Sequence, residues 1–292
     1  MRIIQHSPLH SVQDLGRHGW GHLGISSAGA ADMLAHCWAN WLVDNSATAA
    51  TLELIGGGFK ALFTQPQSFA LSGADCNAHL NDQAIYPWQS YQAQAGDQLR
   101  LSSPQSGQIA YLSVAGGFQT SLALGSRSYS RRDDLGQVIG ASVPTLAKTT
   151  PTRSVPRRFI PSYRAELVLD LLVGYQFDQI QGRIEQPLTV TRHSDRMGIR
   201  LHAEHPFESP PMEYSESIAL GGVQVPPDGQ PIVLNRDRQS LGGYPKLGCL
   251  TRLSLSALAQ CPPGSQVWMQ KSDPTEAVRK LAQLREFFGN FA

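Results

Sequence analysis

The apolar residues of this chain come in short runs, among them Phe69–Leu71, Gln98–Leu101, Ile109–Val114, Leu167–Val173 and Pro231–Leu234, and each run ends at turn residues. Between them lie 27 glycines and 19 prolines, scattered along the whole length. Many short strands with frequent turns describe sandwich or barrel domains. The fold predicted is mainly β, with helices in the minority. A length of 292 residues, 41% of them hydrophobic, supports one large core or two smaller ones.

Two stretches break the pattern with helical spacing. In "GAADMLAHCWANWLVDN", Ala31, Leu34, Ala35, Trp38, Trp41 and Leu42 form one apolar stripe, with Asp32 in the first turn and Asn45 just past the end. In "SDPTEAVRKLAQLREFF", Asp273 serves as N-cap, Pro274 as N1 and Glu276 as N3, and Val278, Leu281, Leu284 and Phe288 share a face, which predicts a docked helix.

Between Ala141 and Arg164 the apolar runs stop, and Pro144, Pro151, Pro156 and Pro161 gather with Lys148, Arg153, Arg157, Arg158 and Arg164. This places a domain boundary there: an N-terminal β domain over 1–145, a Pro/Arg-rich linker over 146–164, and a C-terminal β domain over 165–292 that ends in the helix. The halves echo each other faintly. "QDLGR" parallels "SDRMGIR", "LELIGGG" parallels "SESIALGG", and "AQAGDQLRL" parallels "AQCPPGSQVWM", as a duplicated domain would.

Several function classes are disfavoured. With 24 basic and 23 acidic residues there is no global field for nucleic acid or an anionic membrane. No window approaches the length of a membrane span, so the expected location is the cytoplasm. Cys37, Cys76, Cys249 and Cys261 are dispersed and read as buried thiols. Walker A, H-E-x-x-H and G-x-S-x-G signatures are absent. His202 and His205 have H-x-x-H spacing without a third ligand nearby and read as exposed turn histidines; no metal site is assigned.

Three segments carry candidate site residues. In "SVQDLGRHGWGHLG", glycines keep the backbone open while Gln13, Asp14, Arg17 and His18 supply polar groups, which suits either an anion-binding loop or a Gly-rich corner with a surface ion pair. "GSRSYSRRDD" sets Ser126 and Arg127 among further hydroxyls and arginines, fit for a phosphate or carboxylate, or for a solvated loop partly neutralised by Asp133 and Asp134. "VQVPPDGQPIVLNRDRQSLGGYPKLG" places rigid turns on strand ends and carries Gln224, Gln230 and Gln239, which turns do not require. Rigid turns holding polar side chains are the condition for a preorganised site.

These segments, with "TVTRHSDRMGIRL" and "AYLSVAGGF…LGSRS", resemble the allophanate hydrolase subunit 2 family, also called biotin-dependent carboxyltransferase, on the branch of the bacterial 5-oxoprolinase C subunit (Kip A-like). The similarity runs in order from about Val12 to the C-terminal helix. It implies two cyclophilin-like β-barrel domains and two partners, homologues of the 5-oxoprolinase B subunit (Kip I-like) and of its A subunit. With them it implies opening of 5-oxoproline to glutamate at the expense of ATP with Mg²⁺. Related proteins imply alternatives: carboxyl transfer to urea or a similar amide, with biotin carried on another chain, or a regulatory partner of the Kip I-like protein without catalysis. "YSRRDDLGQVIGASVPTL" and Gln239-Ser240-Leu241-Gly242-Gly243-Tyr244-Pro245 depart from the family pattern, as does "LLVGYQFD", which lacks the family's Gly-Pro.

A lactam is a poor electrophile, and phosphorylating its oxygen calls for cations, carboxylates and amide partners. On that chemistry Arg196 and Lys246 handle negative charge, Asp195 or Asp237 holds metal or orients a neighbour, and Gln224, Gln230 and Tyr244 bind the small amide. Gln239, Asp228, Gln13, Asp14, Arg17, Ser126 and Arg127 complete the candidate substrate-binding set. A held Arg196 further predicts that Arg196→Lys lowers kcat/KM by about 10-fold while stability is kept, loss of both being the mark of a structural ion pair.

Overall fold

The computed structural model describes residues 1–163 and 166–289. The chain is mainly β, and it divides into two compact units. The first comprises Met1–Arg17, Ala28–Tyr163 and the described residues from Arg285 on; the second comprises His18–Ser27 and the described residues up to Leu284.

The first unit runs through β1 (Arg2–Gln5), β2 (Ser11–Gln13), α1 (Met33–Trp41), β3 (Thr51–Ile55), β4 (Phe59–Leu62), β5 (Gln67–Asp75), β6 (Ala78–Leu80), β7 (Gln83–Ile85), β8 (Gln89–Ala93), β9 (Gln98–Leu101) and β10 (Ser106–Val114). These strands make two five-stranded sheets, ordered β1-β4-β9-β6-β7 and β2-β3-β10-β5-β8. Alternate residues of both sheets share one core: Phe59, Ala61, Leu99 and Leu101 from the first, Leu52, Leu54, Phe69, Leu71, Leu112 and Val114 from the second. Helix α1 is where the spacing predicts it. Asp32 is its N-cap rather than part of its first turn, accepting from Ala35 N at 3.0 Å.

The Pro/Arg-rich stretch is pinned along the first unit up to Tyr163. Val143 N donates to Met1 O, Gln119 N to Pro144 O, Ser68 N to Lys148 O, Ser90 N to Arg153 O and Val155 N to Trp88 O. Val143, Thr150 and Val155 are buried. Prolines cannot extend a ladder, yet an extended chain between them still satisfies backbone groups that strands leave open. Arg164, the last residue of the stretch read as a linker, lies outside the described residues, as do 165 and 290–292 of the C-terminal domain.

The second unit holds β11 (Glu166–Val173), β12 (Leu188–Val190), β13 (Gly198–Ala203), β14 (Glu216–Ser217), β15 (Gly222–Gln224), β16 (Ile232–Leu234), β17 (Leu241–Gly242), β18 (Lys246–Leu250), α2 (Arg252–Ala259), β19 (Gln266–Lys271) and α3 (Pro274–Phe288) up to Leu284. Seven of these strands close into a barrel in the order β11-β18-β15-β16-β13-β12-β19, while β14 and β17 pair separately. The barrel encloses a core that includes Leu169, Leu171, Ile199, Leu201, Val223, Val233 and Leu247. Asp273 caps α3, with Thr275 N donating to its side chain at 2.9 Å. No residue of α3 is fully buried: Val278 is 68% exposed, while Leu281, Leu284 and Phe288 of the same predicted face are half-buried. Among the described residues no helix is long and apolar enough to cross a membrane.

All four cysteines are free. Burial pushes the Cys76 thiol up to about 12, with the Asp75 carboxylate adding to the shift, and burial pushes Cys261 up to about 11.

Candidate functional site

Strand register builds the site. Ile199, Leu201, Val223, Val233 and Leu247 point into the barrel, so their neighbours Arg200, Gln224, Ile232 and Lys246 point out. Arg200 pairs with Ile232, Ile232 with Gln224 and Gln224 with Lys246. The four therefore form one row across β13, β16, β15 and β18, about 14 Å long at three strand spacings. A register shift between Val223 and Gln224 is what brings Lys246 opposite Gln224 while Leu247 stays in the core.

At the β18 end, Lys246 Nζ donates to Glu216 Oε2 and Tyr175 OH donates to Glu216 Oε1, so one carboxylate holds both groups. Lys246 N also donates to Gln176 Oε1 at 3.0 Å. The two hydrogen bonds from Lys246 and Tyr175 draw the Glu216 carboxyl below its usual range, and the bond to Glu216 raises the Tyr175 phenol. Tyr175 is 70% exposed, whereas Gln224 beneath is 1% exposed. The turn Leu241–Pro245 folds over Gln224, whose Nε2 donates to Tyr244 O at 3.4 Å. The approach is close: a Cβ on Gly242 would stand 2.6 Å from Gln224 Nε2 and 2.4 Å from Ile218 Cδ1, so a larger residue would push those side-chain ends aside. Tyr244 itself presents an exposed ring.

The other residues singled out in the sequence are placed differently. Arg196 and Asp237 meet, Nε to Oδ2 at 3.0 Å and Nη2 to Oδ1 at 3.1 Å, in a bidentate pair with Asp237 buried. Asp195 is exposed and closes a turn, accepting from Met197 N at 2.7 Å and Gly198 N at 3.1 Å. Gln230 spends its amide on the backbone of Ala203, accepting from its N at 2.7 Å and donating to its O at 3.3 Å. Asp228 accepts from Gln230 N at 3.0 Å in the preceding turn, and Gln239 is half-buried without a hydrogen bond to the described residues. His202 stands on β13 rather than in a turn, on its exposed face.

In the first unit, Gln13, Asp14, Arg17, Ser126 and Arg127 come together as a buried knot. Asp14 Oδ1 accepts from Ser126 Oγ and Ser128 Oγ, both at 2.6 Å, and from Gly16 N at 2.7 Å; Oδ2 accepts from Arg127 N at 2.7 Å. Burial would raise this carboxyl, and the two hydroxyls with the two backbone N–H groups outweigh it, so the net shift is downward. Arg17 Nη2 donates to Ser128 O, and Gln13 bridges Ser11 Oγ, Tyr129 O and Gly29 N. The acceptors of Asp14 point inward, to groups of the same unit.

The sequence marks Lys246, Gln224 and Tyr244 and carries no local signal for Glu216 or Tyr175. Glu216 stood in the "SESIALGG" echo and Tyr175 in "LLVGYQFD", each without a local motif. What joins them to Lys246 is the long-range pairing of β14 with β17, Glu216 opposite Gly242.

Residues 23–271 match the family model described as carboxyltransferase domain, subdomain A and B. The chain is 34% identical to the 5-oxoprolinase C subunit of Escherichia coli, over 100% of this chain and 97% of the relative. It is 32% identical to the 5-oxoprolinase C subunit of Haemophilus influenzae, over 95% and 93%. In fold it matches the crystal structure of the Kluyveromyces lactis urea carboxylase with a TM-score of 0.88 at 21% identity, covering 100% of this chain and 29% of that one. With its two β units and a family match over most of its length, the chain belongs to the carboxyltransferase domain, subdomain A and B, family.

Proposed function

We propose that this protein is the C component of a 5-oxoprolinase, which opens 5-oxo-L-proline to L-glutamate with hydrolysis of ATP and acts in the cytoplasm together with homologues of the A subunit and of the Kip I-like B subunit. The observation that carries this reading is the end-to-end similarity to two 5-oxoprolinase C subunits, with 97% and 93% of their lengths covered.

Within that reading the Lys246 end of the barrel row receives the substrate. Glu216 holds the Lys246 ammonium in place until an anionic group of the ligand takes over that partner, and the exposed Tyr175 OH beside it can turn from Glu216 to donate to an amide oxygen. Gln224 supports the turn that carries Tyr244, whose ring lies beside the incoming group. Arg196 and Asp237 act here as a fixed ion pair beneath the following loop, since each answers the charge of the other.

ATP with Mg²⁺, when bound, would supply phosphoryl-transfer chemistry. Among the described residues no group of three His, Cys, Asp or Glu side chains is placed to hold a metal ion, so no Mg²⁺-dependent step is assigned to this chain. The nucleotide site belongs to the partner chains or is completed by them.

The fold shared with urea carboxylase favours a second reading, carboxyl transfer from biotin on another chain to a small amide. A third, a non-catalytic partner of the Kip I-like protein, predicts assembly without turnover. Reconstitution with homologues of the A and B subunits decides among them. ATP hydrolysis that requires all three chains and 5-oxoproline is the expected result. Urea-dependent turnover with carboxybiotin, or inhibition of the Kip I-like partner without turnover, would replace it.

A further inference from the structure

At the β13 end of the same outer row the barrel carries an open cleft of about 430 Å³, lined by Thr191, His193, Arg200, His202, Asp228 and Gln230, with Ile232 as its outward-facing apolar side chain. That is within the size range of small-molecule sites, roughly 300–1,000 Å³. The cleft lies three strands away from Lys246 along the row, and its groups are not those of the Glu216 centre.

What distinguishes the cleft is the state of its polar groups. The Arg200 guanidinium and the His193 and His202 imidazoles make no hydrogen bond or ion pair with the described residues. Arg200 is anchored only through its backbone, whose N donates to Ser194 Oγ at 3.0 Å and whose O accepts from Thr191 N at 2.9 Å. Asp228 uses Oδ1 for Gln230 N, and Oδ2 is left unused. The donors and the carboxylate face one cavity without pairing with each other. A pure dianion would meet Asp228 unfavourably, and a pure cation would meet Arg200 unfavourably.

We propose that this cleft binds a free α-amino acid, with its carboxylate on Arg200 and the histidine N–H groups, its ammonium on Asp228, and its side chain over Ile232. A guanidinium offers a carboxylate two parallel donors, and the carboxylate of Asp228 can accept from an ammonium without giving up its turn. The inference does not depend on which reaction the complex performs.

Titration of the full chain with L-alanine, followed by amide chemical shifts over residues 191–202, tests it, with acetate in a parallel series. The expected result is saturable L-alanine binding in the millimolar range or tighter, with acetate about 5-fold or more weaker. Arg200→Gln should weaken L-alanine by about 10-fold or more, the loss of a charge-assisted bidentate contact. Asp228→Asn keeps the turn acceptor for Gln230 N, so it should bring L-alanine down to the acetate level while acetate is unchanged. Lys246→Met should leave binding unchanged. Equal affinity for acetate and L-alanine with indifference to Asp228→Asn would reduce the cleft to a bare anion patch and overturn the proposal. So would the absence of saturation, or loss of binding in Lys246→Met.

Discussion

Asp14 in the first unit and Glu216 in the second are both carboxylates that accept from hydroxyl and nitrogen donors, and both titrate below the usual range. Their surroundings differ. Asp14 is 7% exposed and receives two serine hydroxyls and two backbone N–H groups, all from its own unit. Glu216 is half-exposed and receives Lys246, whose side chain is largely buried, and Tyr175, which is exposed. The same chemical group serves the fold where the chain satisfies every acceptor from within, and is available to a ligand where its donors can be exchanged for others.

The largest effect that would test this contrast is Asp14→Ala. Removing the carboxylate leaves Ser126, Ser128, Arg127 N and Gly16 N with lost acceptors in a buried place, at a cost of about 3–5 kcal/mol, near the scale of breaking a buried charged network. Urea unfolding should show the midpoint falling with little change in slope. The pH dependence has a definite sign. The folded carboxyl titrates below its ordinary value of 3.8, so its contribution is complete above the unfolded value and is lost as pH falls through the lower folded one. Wild type should therefore lose stability on acidification below about pH 4, and Asp14→Ala should lose less over the same interval. A variant as stable as wild type would place Asp14 with Glu216 among exchangeable groups.

Next in size is Arg196→Lys. The sequence alone predicts an activity loss with stability kept; the bidentate bond to buried Asp237 changes that expectation. A lysine cannot reproduce two parallel N–H donors, and Asp237 at 3% exposure has little water to fall back on. Stability should drop by about 1–3 kcal/mol, with activity of the reconstituted complex falling in proportion to folded protein. Kinetics that fall while thermal unfolding is unchanged would move Arg196 from the structural side of the comparison to the functional side.

How far the residues themselves forecast this contrast is instructive. The short apolar runs announced β5, β9, β10, β11 and β16, because alternation and turn residues are local signals. Helix α1 and the Asp273 cap were legible for the same reason. Asp14 and Ser126 were both noticed, but their joining across 112 residues was not, and so an anion-binding loop and a buried knot looked alike. Lys246 was found through the Gly-Gly-Tyr-Pro-Lys turn. Its partner Glu216 was not, since that contact depends on a register shift and a two-residue strand pairing that no local pattern encodes. The Pro/Arg-rich stretch shows the converse: its composition speaks for a linker, and up to Tyr163 its backbone is hydrogen-bonded along the first unit.

Lys246→Met sharpens the functional side. Methionine keeps the length and apolar stem of the lysine side chain and removes the ammonium. In the reconstituted complex kcat/KM should fall by about 10-fold or more, the scale of one charge-assisted interaction. Thermal stability should fall only slightly, because methionine keeps the packing of the largely buried stem and the half-exposed Glu216 keeps Tyr175 and access to water. Equal turnover would show that the ion pair with Glu216 persists in the working complex and that the substrate binds elsewhere.

The smallest expected effect is that of Tyr175→Phe, and it separates the two sides most finely. The hydroxyl is exposed and among the described residues hydrogen-bonds only Glu216, so its loss leaves no buried group there unsatisfied, and the melting temperature should move by no more than about 1–2 °C. Glu216 keeps Lys246, so its carboxyl stays below the usual range but by less than in wild type. If Tyr175 takes over a substrate amide oxygen when Lys246 is drawn to the ligand, kcat should fall a few-fold while KM changes little, because the hydroxyl contributes after binding rather than to it. If Tyr175 only orients Glu216, KM should rise instead, since the lysine would be less well held before the ligand arrives. A parallel Glu216→Gln variant keeps an acceptor for the phenol but gives up the ion pair. In the first case the two substitutions act on different parameters, kcat for Tyr175→Phe and KM for Glu216→Gln, and in the second they act on the same one.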